Sequence, residues 1–341
     1  MNFFRQLSIL LAFSFLLMNC EKALIQTVYS NTPTDNFEAM WTEFNQLYGL
    51  FEVRDIDWQA VYQNYRPQVH DDMSEEALYR LLTGMLDELD DSHVGLLAVN
   101  TDLPQYQGGM GGRLDTIRDF HLPIVVENYL ADAQESDPFT YGWLTDSTGY
   151  LHIAWEPGER SIHKQMPDIV SFFQSATGLV IDVRSNSGGE DRGGQAIASY
   201  FTDERRHYMT NRIKNGPGAN DFTDPMEWYI NPQEEALLQP LVLLTNRATV
   251  SAGETLVLAM RSLPQLTIVG DTTQGAFSNA LPRELPNGWL YSISIGDWRA
   301  ADGTSFEGRG IPPDTLVQNQ SHDLATGTDQ ALEVALQLLP R

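Results

Sequence analysis

The chain has 341 residues, enough for two packed units or for one large domain with an appendage. Its hydrophobic fraction of 42% can supply a buried core and excludes a disordered chain. The 21 Lys+Arg and 46 Asp+Glu give a formal net charge of −25, a surface that repels phosphate backbones. We therefore expect no nucleic-acid partner.

The first residues are typical of a bacterial secretion signal. Arg5 precedes an apolar run over 7–18, which is too short to cross a bilayer. The segment Leu17-Met18-Asn19-Cys20 resembles a lipobox, in which the cysteine is lipidated after residues 1–19 are removed. We predict an exported protein in the bacterial periplasm or at the cell surface, anchored to a membrane through Cys20. An ordinary cleaved signal is the alternative.

Residues 20–34 are predicted to be a tether, and 35–98 a helical bundle of about three helices. Apolar side chains recur there at spacings of three and four, and Ser74-Glu-Glu-Ala begins a further helix. The remainder, 99–341, reads as an α/β core because strand-like and helix-like segments alternate.

Within that core the predicted segments follow in chain order. Strands are expected at 121–129, 141–155, 178–183, 241–246, 266–269 and 289–295, and helices at 163–175, 194–201, 252–263 and 328–339. The polar and aromatic stretch 203–239 interrupts the alternation, and its length predicts a lid-like insertion beside a substrate.

The first candidate site is the turn after the strand predicted at 178–183. Gly188 and Gly189 lie between that strand and the next helix, and such a turn presents backbone N–H groups to an anion or an oxyanion. Asp182 and Arg184, just before it, are interpreted as structural residues. The turn alone is weak evidence, because similar turns occur in many α/β folds.

Ser251 is the second candidate, at the junction of a predicted strand and helix. Ser251 and Glu254 have the S-x-x-E spacing of a capping box, so a structural role explains the serine. The N-terminus of a helix also stabilises developing negative charge, which suits a nucleophile. The local sequence leaves both interpretations open.

His93 is the third candidate, at the end of the predicted bundle and directly after Asp90-Asp91-Ser92. Histidine is the side chain most often used as a general base near neutral pH. The other six histidines have no comparable neighbours, and no pair has the spacing of a zinc site. The sequence predicts no metal and no cofactor.

These three segments occur in a fixed order with two downstream stretches, Gly270-Asp-Thr-Thr-Gln-Gly275 and Phe306-Glu307-Gly308-Arg309-Gly310. Together they resemble the tail-specific, or C-terminal-processing, serine protease family. That family includes the tricorn protease core and the repeats of interphotoreceptor retinoid-binding protein. The resemblance covers about residues 36–320. It implies an α/β fold, a crotonase- or ClpP-like spiral of ββα units, with an N-terminal helical bundle.

The positions of the lysines distinguish between the two catalytic variants of that family. The Ser–Lys variant has a lysine where this chain has Ala276, and no lysine follows Lys214, so that dyad is excluded. The tricorn-like variant remains, and it implies four catalytic residues: Ser251, His93, Ser92 and Glu307.

The resemblance also implies a role for each residue. Ser251 attacks the scissile carbonyl while His93 takes its proton, Ser92 contacts the second histidine nitrogen, and Glu307 polarises Ser92. The backbone N–H groups of Ala252 and Gly188 form the oxyanion hole, with Gly189 as the alternative to Gly188.

Many members of the family carry a PDZ domain, whereas residues 99–157 here are occupied by a loop and strands. We therefore expect no PDZ domain, with substrates selected by the cleft and the 203–239 insertion. The leading prediction is an exported serine peptidase acting on peptides or unfolded proteins. The alternatives are a non-catalytic protein on the same fold that binds a small apolar ligand or a peptide, and a serine esterase or amidase.

Overall fold

A computed structural model describes residues 29–340. The signal-like segment and Cys20 lie outside the described residues. The helices are α1 (Pro33–Leu47), α2 (Trp58–Tyr65), α3 (Glu75–Asp87), α4 (Leu122–Asn128), α5 (Glu159–Phe172), α6 (Asp191–Ala198), α7 (Ala252–Arg261), α8 (Ser321–Ala325) and α9 (Gln330–Leu338).

The strands belong to three sheets. They are β1 (Gly95–Leu97), β2 (Tyr106–Gln107), β3 (Ala131–Ser136), β4 (Phe139–Trp143), β5 (Thr148–Ile153), β6 (Gly178–Asp182), β7 (Arg206–Ile213), β8 (Met226–Ile230), β9 (Leu241–Thr245), β10 (Leu266–Gly270), β11 (Ala280–Glu284), β12 (Leu290–Ser294), β13 (Gly296–Ala300) and β14 (Thr315–Leu316). Within the described range, no helix is long and apolar enough to span a membrane.

The N-terminal helices α1, α2 and α3 confirm the helical periodicity. Thr32, Asp57 and Ser74 precede them, and each side chain accepts a hydrogen bond from the first turn. Their apolar faces pack on the antiparallel sheet β11–β12–β1–β2. Trp289 and Tyr291 belong to this core, so the helices share it with a late part of the chain.

Seven strands form the central sheet, in the order β14–β10–β9–β6–β5–β4–β3. Neighbours from β14 to β5 are parallel, and β5, β4 and β3 are antiparallel. Successive residues of a strand face opposite sides. Leu179 and Ile181 therefore pack with α5, α6 and α7, while Val180 packs with α4 and α9. The chain is a mixed α/β protein with a helical N-terminal part, as predicted.

The prediction of a strand over 121–129 is wrong, because this segment forms α4. Pro123 lies in its first turn, where a proline is tolerated because the first N–H groups of a helix have no partner within it. Val125 is the fully buried side chain of the helix, packed on the outer face of the central sheet. One buried position in seven residues does not distinguish a short helix from an edge strand.

The stretch 203–239, predicted to be a lid-like insertion, has regular secondary structure. It contains β7 and β8, which form an antiparallel sheet with β13. Tyr208, Met209 and Trp228 are buried in the main core, so this segment is part of the folded body. Its pairing partner β13 lies more than 60 residues further on, which local sequence patterns do not reveal.

Candidate active site

Ser251 lies directly before α7, in a backbone conformation that non-glycine residues rarely adopt. Its φ of 56° and ψ of −121° lie outside the favoured regions, and such strain persists where surrounding contacts impose it. The Ser251 N–H donates to Glu254 Oε2 at 3.2 Å. The Ser251–Glu254 pair thus forms as the spacing predicts, and it orients the serine at the same time.

Glu254 is fully buried beneath this turn. Its carboxylate also accepts hydrogen bonds from Thr273 Oγ1 at 2.6 Å and from the N–H groups of Gly275 and Ala276, both at 2.7 Å. Burial raises the pKa of Glu254 to about 7, and these hydrogen bonds oppose the rise. Glu254 therefore joins the serine turn to the segment 273–276. In the Ser–Lys variant of the resembled family, the lysine stands at the position of Ala276.

The structure brings His93 to Ser251 although 158 residues separate them in the chain. His93 Nε2 lies 3.0 Å from Ser251 Oγ, within hydrogen-bond distance. The histidine backbone is fixed on both sides, since its N–H donates to Asp91 Oδ1 at 2.8 Å and its carbonyl accepts from Ser292 Oγ at 2.6 Å. Burial lowers the pKa of His93, and the nearby charge of Asp91 opposes this.

Ser92 and Glu307 do not make the contacts that the resemblance implied. Ser92 Oγ accepts the N–H of Gly111 at 3.1 Å. Nδ1 of His93 is buried and has no hydrogen-bond partner among residues 29–340. Glu307 Oε2 accepts the N–H of Phe277 at 2.5 Å. A continuous Glu307–Ser92–His93 chain is therefore absent from the hydrogen bonds of the described residues.

Arg54, in the loop after α1, is the residue that binds Glu307. Its Nε donates to Glu307 Oε1 at 3.1 Å and its Nη2 bonds to the same oxygen, while its Nη1 donates to the carbonyl of Asp90 at 2.6 Å. Arg54 thus links the helical part to the loop that carries Glu307. Nothing in the local sequence around Arg54 marks it, because its partner lies 253 residues away.

The backbone near Ser251 contains two N–H groups without a partner in the described chain, those of Gly189 and Ala252. The N–H of Gly188 differs, because it donates to the buried Asn186 Oδ1 at 2.8 Å. A Cβ atom on Gly188 would lie 2.9 Å from the Cβ of Ser251. The glycine turn therefore packs directly against the serine, and Gly189 has the available N–H.

The glycine turn rests on Glu156, a fully buried carboxyl group. Asn186 Nδ2 donates to Glu156 Oε1 at 2.7 Å, and the Glu156 N–H donates to the Gly188 carbonyl at 3.1 Å. No hydrogen bond from the described residues reaches Oε2. Burial raises the pKa of Glu156 to about 8, with the charge of Asp191 adding to the rise.

Glu156→Gln is expected to remove the contribution of Glu156 to the pH dependence of the unfolding free energy. The folded chain holds a proton on Glu156 between the ordinary pKa of 4.5 and about 8, whereas the unfolded chain releases it, so wild-type stability falls as pH rises through this range. Glu156 contributes at most ~1.4 kcal/mol per pH unit to this slope, and the variant should lose that share while the share of Glu254 remains. Urea unfolding at pH 5 and pH 8 measures it. Glu135→Gln, at an exposed strand position, is the control and should keep the wild-type slope.

Asp182 and Arg184 are structural, as predicted. The Arg184 guanidinium forms salt bridges with Asp182 at 2.6 Å and with Asp329, before α9, at 2.9 Å, and all three side chains are buried. These contacts fix the end of β6 just before the glycine turn. Among residues 29–340, no group of three or more His, Cys, Asp or Glu is arranged to hold a metal ion.

Comparison with known proteins identifies the family of the chain. The sequence profile of peptidase family S41 matches residues 147–317, half of the chain, and the tricorn protease C1 domain matches 29–87. The crystal structure of a candidate peptidase from Parabacteroides merdae has 32% sequence identity and a TM-score of 0.80, over 91% of this chain and 97% of that one. The chain therefore belongs to peptidase family S41.

Curated relatives match over shorter stretches. Carboxy-terminal processing protease CtpA of Bacillus subtilis is 26% identical over 46% of this chain and 32% of its own length. The tricorn protease of Thermoplasma volcanium is 24% identical over 62% of this chain and 19% of its own length. The chain thus spans about a third or less of the length of these two relatives.

Proposed function

We propose that this protein is a serine peptidase in which Ser251 is the nucleophile and His93 is the general base. The observation that carries the proposal is the 3.0 Å separation of His93 Nε2 and Ser251 Oγ, at a strained turn beside a helix N-terminus. A serine hydroxyl needs such a base, because it is a weak nucleophile at neutral pH.

The reaction proceeds by acyl transfer. Ser251 Oγ attacks the scissile carbonyl carbon as its proton moves to His93 Nε2, and the carbonyl oxygen becomes an oxyanion. The tetrahedral intermediate collapses, the C–N bond breaks, and Nε2 returns the proton to the leaving amine. Water then attacks the acyl-enzyme with the same base, which releases the carboxylic acid and restores Ser251.

The N–H groups of Ala252 and Gly189 are proposed as the oxyanion donors. The sequence favoured Gly188 over Gly189, but the Gly188 N–H already donates to Asn186. Ala252 is the first residue of α7, so its N–H points out of the helix start, where the helix dipole also favours negative charge. Fixed donors of this kind typically contribute about a hundredfold to a thousandfold to the rate.

Ser92 and Glu307 remain in the proposed site with indirect roles. Ser92 ties the catalytic loop to Gly111, and Glu307 holds Arg54 against the carbonyls of Leu89 and Asp90. Both residues thereby fix the loop that presents His93. Their replacement is expected to lower activity less than replacement of His93.

Peptides or unfolded proteins are the proposed substrates. The test is turnover of a denatured protein, followed by mass spectrometry of the fragments, beside hydrolysis of p-nitrophenyl esters. Cleavage of internal peptide bonds that Ser251→Ala abolishes supports a peptidase. Ester hydrolysis without peptide cleavage identifies an esterase. Absence of both activities, with tight binding of a peptide or an apolar ligand, identifies the binding protein.

The pH profile is a further expected result. The activity requires neutral His93, and burial lowers the pKa of this histidine below its ordinary 6.5. We expect kcat/KM to rise with pH through a single ionisation with its midpoint below 6.5. Initial rates at subsaturating substrate from pH 4.5 to 8 measure it. A profile that is flat over this range contradicts the role of His93 as the base.

We also propose export and a lipid anchor at Cys20, on the basis of the N-terminal sequence. In a bacterial host, the wild type should incorporate a labelled fatty acid and sediment with membranes. Cys20→Ala should lose the label and appear in the soluble fraction. A mature N-terminus other than Cys20, found by N-terminal sequencing of the wild type, would instead identify an ordinary cleaved signal.

A further inference from the structure

Asp91 lies two residues before His93, and its carboxylate side chain is fully buried. Its Oδ1 accepts the His93 backbone N–H at 2.8 Å, and its Oδ2 accepts the Tyr48 hydroxyl at 2.9 Å. No lysine, arginine or histidine of residues 29–340 lies within salt-bridge distance of it. Two neutral donors therefore hold the carboxylate in place, and none of the described cations forms a direct ion pair with it.

Three other ionisable groups lie near Asp91, namely Arg54, Glu307 and Tyr48. Arg54 lies in the loop after α1 and Glu307 in the loop after β13, and these two form a salt bridge. Tyr48, at the end of α1, stays neutral because burial and Asp91 raise its pKa well above the ordinary value. Burial and the charge of Asp91 raise the pKa of Glu307, and Arg54 opposes the rise. Asp91 is the carboxylate of this group that lies outside the salt bridge.

We propose that Asp91 is a positioning residue that stabilises the positive charge on His93 during catalysis. This inference rests on the proposed function. When His93 Nε2 takes the Ser251 proton, an imidazolium forms in a buried place, where an uncompensated charge is costly. The charge of Asp91 lowers that cost through space.

The role differs from the one that the resemblance gave to Glu307. Glu307 forms a salt bridge with Arg54, whereas Asp91 accepts a hydrogen bond from the backbone N–H of His93 itself. The same contact fixes the histidine main chain. Asp91 therefore acts on both the position and the proton affinity of the base.

The experiment compares pH profiles of kcat/KM for Asp91→Asn and Asp91→Ser with the wild type. Both substitutions keep an oxygen that can accept the His93 N–H, so a purely structural role would leave the midpoint unchanged. We expect the midpoint to fall by about one pH unit and the high-pH plateau to fall about tenfold. The matched control is Asp90→Asn, which removes the same charge from the neighbouring, exposed side chain and should keep the wild-type midpoint.

Fluorophosphonate labelling of Ser251 and thermal unfolding accompany each profile. If the wild type is labelled and a folded Asp91 variant keeps its midpoint, the role of Asp91 is overturned while the serine peptidase stands. An equal shift in the Asp90→Asn control also overturns it. If neither Asp91 variant folds, Tyr48→Phe is measured instead, because it removes the donor to Asp91 Oδ2 and keeps the charge. A midpoint that stays or rises then agrees with the role of Asp91, and a midpoint that falls overturns it. A wild type that is not labelled on Ser251 overturns the proposed function itself.

Discussion

Replacing Ser251 or His93 with alanine is expected to lower kcat/KM for a peptide substrate by about 10⁴-fold or more. Ser251→Ala removes the nucleophile, and His93→Ala removes the group that accepts its proton across the 3.0 Å contact. Initial rates on a fluorogenic peptide, with circular dichroism to verify folding, measure the effect.

The double variant provides the sharper part of this test. Two residues that act as one unit lose little more together than either loses alone, so Ser251→Ala/His93→Ala should resemble the single variants. Ser262→Ala, at the other end of α7, and His163→Ala, on α5, are matched controls and should retain wild-type rates. Independent, multiplicative losses would contradict a shared Ser251–His93 step.

Gly188→Ala is expected to lower kcat/KM by about a hundredfold or more, because a small displacement of reacting groups has a cost of this order. Its φ of 81° is in the range that favours glycine. The added Cβ would lie 2.9 Å from both the Ser251 Cβ and the Val250 carbonyl oxygen. The serine turn must therefore move.

Gly303→Ala separates this effect from backbone strain. Gly303 has nearly the same φ, 83°, but a Cβ there meets no atom within 4 Å. Each variant should lose about 1–2 kcal/mol of unfolding free energy from the left-handed backbone, measured by urea unfolding. Gly303→Ala should keep wild-type activity. An equal loss of activity in both variants would mean that strain, rather than contact with Ser251, explains the result.

The long periodic elements of this fold follow from the sequence, because burial of one face imposes a regular spacing of apolar residues. This holds for α1, α3 and the buried strands β6 and β9. The segment predicted to be a strand forms α4 instead. Its one fully buried side chain, Val125, is too few to define a hydrophobic periodicity. The sheet formed by β7, β8 and β13 depends on distant pairing, which local patterns do not contain.

For the candidate site, too, the sequence predicts some features and the packed structure alone reveals others. The order of the motifs and the family resemblance predict Ser251 and His93 as a pair, and the fold brings these two side chains together. The bonds of Ser92 to Gly111 and of Glu307 to Arg54 depend on side-chain rotamers and on a loop from the helical part. The competition of Asn186 for the Gly188 N–H is likewise a matter of geometry. Motif order identifies the residue types, whereas only the packed structure identifies their partners.

Covalent labelling of the wild-type protein with a fluorophosphonate, read by intact mass and peptide mapping, tests the central claim most directly. A His-activated serine predicts a single adduct on Ser251, formed faster as pH rises through the ionisation of His93 and lost in His93→Ala. A folded protein that forms no adduct, or one labelled on another serine, would contradict the assignment of Ser251 and His93 as the catalytic pair.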